Sequence, residues 1–179
     1  SRLRGRIESV LDWATTSGYR TGENPARWKR HLENLLATIS RSSRTRNHPS
    51  LPWQRIAAFM AALGAREGIS ARAVEFCILT ACRSGEVRGA RWAEFDLAGK
   101  VWTIPAERMK ARREHQVPLS DAAFALLESM PKDGEIVFAG IKGQPLSDMS
   151  LTAVIRRMNG GDMSVWVDTN GDGVTVHGF

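Results

Sequence analysis

Thr80-Ala81-Cys82-Arg83-Ser84-Gly85-Glu86-Val87-Arg88-Gly89-Ala90-Arg91-Trp92-Ala93-Glu94-Phe95-Asp96 is the stretch on which the reading of this chain turns. Just before it, Val74, Cys77 and Ile78 recur at helical spacing with Leu79 alongside, which predicts a heavily buried helix over 71–81. Thr80 to Glu86 then marks a junction into a short helix that ends near Gly89. Beyond it the period changes. Val101-Trp102-Thr103-Ile104-Pro105 and Glu114-His115-Gln116-Val117-Pro118 read as short strands, joined by a tight basic turn, Glu107-Arg108-Met109-Lys110-Ala111-Arg112-Arg113. The stretch therefore sits where a helical layer hands over to a small antiparallel sheet.

Working outward, Leu51-Pro52-Trp53 opens a helix with Ile56, Phe59, Met60 and Leu63 on its apolar side. Ser120 caps another, with Ala123, Phe124 and Leu127 inside and Pro131 beyond its end. A last helix is expected over 147–158, through Leu151, Val154, Ile155 and Met158. Towards the start, Ile7, Val10, Leu11 and Ala14 predict an amphipathic helix over about 5–17 that Gly18 ends, and Trp28, Leu32, Leu35 and Leu36 a second helical stretch. These two helices are too few to bury their apolar faces fully. The expected organisation is a helical piece over 1–38, a linker over 39–50 and a larger domain over 51–179.

Charge sharpens this division. Of 25 basic and 19 acidic residues, residues 1–50 hold ten and four, so the excess positive charge lies in the N-terminal stretch. The linker is its most basic run. Arg41, Arg44 and Arg46, with His48, could lie along phosphates, or form a solvated connector. Cys77 and Cys82, five residues apart, fit neither a disulfide nor a zinc site and suit a reduced intracellular setting. No apolar run approaches the ~20 residues of a membrane span, and Ser1-Arg2-Leu3-Arg4 lacks the apolar region of a secretion signal.

The quoted stretch resembles the first catalytic box of the tyrosine recombinases, in particular the phage-type integrases of bacterial genomic islands. The family usually has glycine where Ala81 stands and leucine where Ala90 stands. Trp102-Thr103-Ile104-Pro105-Ala106-Glu107-Arg108-Met109-Lys110, followed by His115-Gln116-Val117-Pro118-Leu119-Ser120, is similar to the strand, turn and strand that present a lysine to DNA in the same enzymes. Val174-Thr175-Val176-His177-Gly178-Phe179 resembles the start of their histidine-x-x-arginine box.

The resemblance implies a mainly α fold with a small three-stranded antiparallel sheet. It implies the DNA breaking-rejoining type of catalytic domain, preceded by the end of a helical core-binding domain and cut before the second arginine and the nucleophilic tyrosine. By the same resemblance Arg83, Lys110 and His177 are catalytic and Glu86 supports Arg83. The activity implied is site-specific integration or excision through a transient 3′-phosphotyrosyl link, with the present stretch itself inactive. Neither metal nor cofactor is implied. The partners are double-stranded DNA attachment sites, further copies of the protein, and accessory DNA-bending or directionality proteins, in the bacterial cytoplasm beside the nucleoid.

The chemistry is compatible with those residue types. Attack on a phosphodiester builds negative charge on the phosphoryl oxygens, and a guanidinium fork clamps two of them while staying charged. An ammonium on a turn, Lys110, can protonate the departing 5′ oxygen, while Arg108, Arg112 and Arg113 could hold neighbouring phosphates. An imidazole at 177 can bond a non-bridging oxygen. The plainer reading of Arg83 is a local surface pair with Glu86, and of Lys110 one solvated charge among several. Tyr19, the single tyrosine, reads as helix-end packing. Rival readings are a type IB-like topoisomerase and a non-catalytic DNA-binding or dimerisation module. Asp168-Thr169-Asn170-Gly171-Asp172-Gly173 copies the opening of a calcium loop, but the twelfth position falls on Phe179, so a Gly- and Asp-rich turn is expected.

Overall fold

The structure, a computed structural model, describes residues 2–36, 48–160 and 165–179. The chain divides into two compact units, Ser1–Asn47 and His48–Phe179.

In the first unit α1 spans Arg2–Thr16. Gly18, with φ +77°, closes it, and the N–H of Tyr19 returns to the carbonyl of Ala14 at 2.9 Å. The following turn is fastened back by Asn24. Its amide donates to the Glu8 carbonyl (2.8 Å) and Asp12 Oδ1 (2.7 Å), and its oxygen accepts from the N–H of Ala26 (2.9 Å). Leu3, Ile7, Val10 and Trp13 all remain exposed. The second helical stretch is not continuous: Lys29 is extended and Arg30 left-handed, so only Glu33–Leu35 (α2) is α-helical among the described residues. The apolar spacing was right for a helix, but the Glu33 carboxylate accepts the N–H of Arg30 and stabilises the break.

The second unit is built around one helix. A turn at Trp53–Arg55 leads into α3 (Ile56–Gly64), then come the central α4 (Ile69–Thr80) and the short α5 (Ser84–Arg88). The strands β1 (Phe95–Asp96), β2 (Val101–Ile104) and β3 (His115–Pro118) form an antiparallel sheet in the order β1-β2-β3, with Trp102 opposite both Phe95 and Val117. The helices α6 (Asp121–Glu128) and α7 (Ser150–Met158) complete it. α4 packs against α3, α5, α6 and α7, which is why it buries Ala73, Val74 and Phe76 completely.

Sheet and helices meet over aromatic rings. Phe95 stacks on Trp102 (5.3 Å, 7° between planes), and Phe76 lies 5.6 Å from Trp102 and 5.3 Å from Phe138. Phe138 belongs to a segment without regular structure, held because Val137 donates to the Ala90 carbonyl (2.9 Å) and Trp92 to the Glu135 carbonyl (3.0 Å). Ser120 caps α6, its hydroxyl accepting from Ala123 at 3.2 Å. The fold is thus mainly α-helical with a small three-stranded antiparallel sheet, the fold class that the sequence resemblance implied.

Candidate active site

The corner between α4 and α5 starts with a strained residue. Ala81 has φ +54°, the left-handed conformation that favours glycine, and it turns the chain so that Arg83 enters α5 as its N-cap. An arginine side chain has no acceptor with which to cap a helix. Glu86, one turn on, supplies the carboxylate: Oε2 accepts the Arg83 N–H at 2.9 Å and Oε1 accepts from Arg83 Nη1 at 2.8 Å. The partners differ in exposure, Glu86 being 7% exposed and the Arg83 side chain 63%. A buried carboxylate therefore fixes a guanidinium that otherwise faces solvent, and this bond holds the Arg83 pKa above its ordinary value.

Arg83 lines a cleft of about 140 Å³ with His177, Cys82 and Val176. His177 reaches it because its neighbour is locked. The Gly178 carbonyl accepts from Leu51 at 2.9 Å, and a Cβ on Gly178 would stand 2.1 Å from the Pro49 carbonyl oxygen. The ring of His48 packs at 5.1 Å from that of His177. Burial pushes the thiols beside the cleft up, Cys77 to about 12 and Cys82 in the same direction, so both are protonated near neutral pH.

Of the expected site residues, Arg83, Glu86 and His177 come together here. Lys110 stands exposed on the β2–β3 turn, outside the residues that line this cleft. Arg112, with φ +54°, and Arg113 are exposed on the same turn. Arg108 departs from its expected role among the phosphate-facing cations. It turns inward to the Glu94 carboxylate and the Glu86 backbone carbonyl, where it compensates a carboxylate that the fold withdraws from solvent and that would be costly to leave unpaired. Arg41, Arg44 and Arg46 lie outside the described residues.

Glu94, His48 and Gly178 were given no firm part by sequence reasoning. Glu94 lay inside the first motif and could have been flagged as a carboxylate between two tryptophans. Gly178 carried no signal beyond its place after the histidine. Tyr19 is exposed, its ring 5.5 Å from that of Trp13. The Asp168 loop is a turn that consumes its own acceptors: Oδ1 takes the N–H groups of Asn170 (2.8 Å) and Asp172 (2.9 Å), and Gly171 has φ +83°. No group of three or more His, Cys, Asp or Glu placed to hold a metal occurs among the described residues. No described helix is long and apolar enough to cross a membrane.

A helical domain carrying a small sheet, with an arginine and a histidine facing one cleft, defines a tyrosine-recombinase type of architecture. The sequence profile of the phage integrase family matches residues 50–167, and the chain belongs to that family. The integrase of Enterobacteria phage P4 is 32% identical over 176 residues, covering 88% of this chain and 38% of that protein. Prophage integrase IntA of Escherichia coli K12 is 43% identical over 93 residues, covering 49% of this chain and 22% of that one. A crystal structure of lambda integrase bound to DNA superposes with a TM-score of 0.67 at 18% identity, covering 98% of this chain and 59% of that one. The chain spans only 38% of the phage P4 integrase's length.

Proposed function

We propose that this chain supplies part of the catalytic pocket of a site-specific recombinase, which cuts and rejoins DNA through a transient 3′-phosphotyrosyl link during integration or excision. The observation that carries the reading is the Arg83 guanidinium, anchored from behind by buried Glu86 and sharing a cleft with His177. Arg83 clamps non-bridging oxygens of the scissile phosphate as negative charge builds there, and His177 donates to one of them or passes a proton. Glu86 orients Arg83 and takes no proton from substrate. Lys110 protonates the departing 5′ oxygen.

The nucleophile is a tyrosine in a part of the recombinase outside these 179 residues, as is a second arginine. Tyr19 belongs to the unit of residues 1–47, which lacks every basic motif of the pocket, and the chain covers 38% of the phage P4 integrase. Residues 1–38 correspond to the end of a core-binding domain. Exposed Arg112 and Arg113, with Arg41, Arg44 and Arg46, meet neighbouring phosphates of duplex DNA, and exchange needs further copies of the protein on paired sites.

Two measurements test this. Titration of the chain with duplex DNA across salt should give binding that weakens with salt, and the double substitution of Arg112 and Arg113 by Gln should reduce the slope by roughly 1–2. A slope unaffected by those changes counts against the interface. Strand transfer between paired sites by the full-length gene product supports recombination. Relaxation of supercoiled plasmid without exchange assigns a topoisomerase instead.

A further inference from the structure

We infer that Arg108 is a positioning residue: its buried guanidinium ties the turn that carries Lys110 to the helix that holds Arg83, setting the two cations in register. The inference rests on the proposed role of Lys110 as proton donor.

Three elements meet on this one group. Arg108 Nη1 bonds both oxygens of Glu94, in the turn before β1, and Nη2 donates to the Glu86 carbonyl in α5. Glu94 also accepts from the indole N–H of fully buried Trp102 in β2 at 2.9 Å. Arg108 is 19% and Glu94 9% exposed, so the pair lies inside the fold and not on a solvated face. The guanidinium lies close over the end of α5: a Cβ on Gly89 would stand 3.0 Å from Arg108 Nη2, so a side chain there would make the guanidinium give by a few tenths of an ångström.

Glu86 is the shared member. Its carboxylate takes the backbone and side chain of Arg83, and its carbonyl takes Arg108. Lys110 follows Arg108 by two residues. The intervening backbone is short and internally bonded, Arg108 to the Pro105 carbonyl at 3.0 Å, Met109 to Ala106 at 3.2 Å and Arg112 to Met109 at 3.0 Å. A planar fork with donors on two nitrogens serves a carboxylate and a carbonyl in different elements at once, whereas a single ammonium has one nitrogen to place. Displacing the guanidinium frees the lysine turn from α5 without removing any group that touches DNA.

The test separates positioning from plain structural support by removing the need for the proton. In cleavage, the tyrosine oxygen gives up its proton to the His177 imidazole or to water as it bonds to phosphorus, the bond to the 5′ oxygen breaks, and Lys110 protonates that oxygen. With sulfur in the bridging position the bond to sulfur breaks and the thiolate departs with the electron pair unprotonated. The full-length gene product is compared as wild type, Lys110→Ala and Arg108→Lys on both duplexes. The Lys110→Ala variant should slow cleavage of the oxygen substrate about a hundredfold or more and cut the sulfur substrate at close to the wild-type rate. Arg108→Lys should follow the same pattern more weakly, about tenfold slow on oxygen and restored on sulfur. Equal slowing on both substrates, or none on either, overturns the inference.

If Lys110→Ala is not restored by sulfur, the reading of Lys110 fails, and amide hydrogen exchange then decides the tie by itself. In Arg108→Lys the amides of Arg112, Met109 and residue 108 should exchange faster while α4 keeps its protection. Unchanged protection in the turn overturns the tie.

Discussion

The α4–α5 corner and the β2–β3 turn each contain an arginine bonded to a largely buried glutamate, and the two pairs do opposite things. At the corner Glu86 is buried and Arg83 faces solvent, so the carboxylate aims a cation outward. At the turn Glu94 and Arg108 are both withdrawn from solvent, so the cation is spent inside the fold. Residue type and charge are the same in both places. What differs is whether the guanidinium finds a second acceptor within the protein: Arg108 finds the Glu86 carbonyl in addition to its carboxylate. Whether an arginine can serve a phosphate is thus decided by its neighbours in space.

The largest effect that would break this contrast is in stability. Arg108→Met leaves the largely buried Glu94 carboxylate with the N–H groups of Trp102 and Arg91 but no cation, and should cost about 3–5 kcal/mol, read as a lowered midpoint in urea. Arg83→Ala removes a solvent-facing guanidinium and keeps the backbone N–H that Glu86 accepts, so it should lower the midpoint far less. Similar midpoints for the two variants would erase the distinction. Next in size, Gly178→Ala forces a methyl against the Pro49 carbonyl and should lose about 1–3 kcal/mol. It should also displace His177, visible as altered imidazole NMR shifts, while the Trp102 indole N–H signal stays in place.

The opposite sign is expected at Ala81. With φ +54°, Ala81→Gly relieves the left-handed strain and should raise stability by about 0.5–1 kcal/mol in thermal melts. A loss there would mean the corner does not strain Ala81. The smallest effect concerns a carboxylate with no arginine at all. Burial works to raise the Asp168 pKa, but the N–H groups of Asp172, Asn170 and Gly171 outweigh it and hold it below the ordinary value. Its contribution is present above the unfolded carboxylate value of about 3.9 and is lost as pH falls through the lower folded value. Amide protection at Asn170 and Asp172 should therefore survive to below about pH 4 before it disappears.

Much of the catalytic fold was legible because its helices and strands bury faces with regular periods: Phe59 and Leu63, Val74 and Cys77, Leu151 and Ile155 lie where spacing put them. The segment holding Phe138 was not legible, since its burial follows from pairing with residues 90–92 and not from any period of its own. The break at Arg30 was hidden for a similar reason, a side chain capping the backbone within an apolar repeat. For the site, motif order singled out Arg83, Glu86 and His177. Motif order could not show that Arg108, two residues from Lys110 in a run of cations, points inward, because the carboxylate that takes it stands 14 residues earlier.

The central claim is that Arg83 is a guanidinium held for phosphate and not for the fold. Single-turnover formation of the covalent protein–DNA complex by the full-length gene product, on a duplex carrying its recombination site, tests it most directly. Arg83→Ala should slow that step at least about a hundredfold while the variant stays folded at the assay temperature. A wild-type rate in the variant, or a slowing matched by loss of the fold, would contradict it.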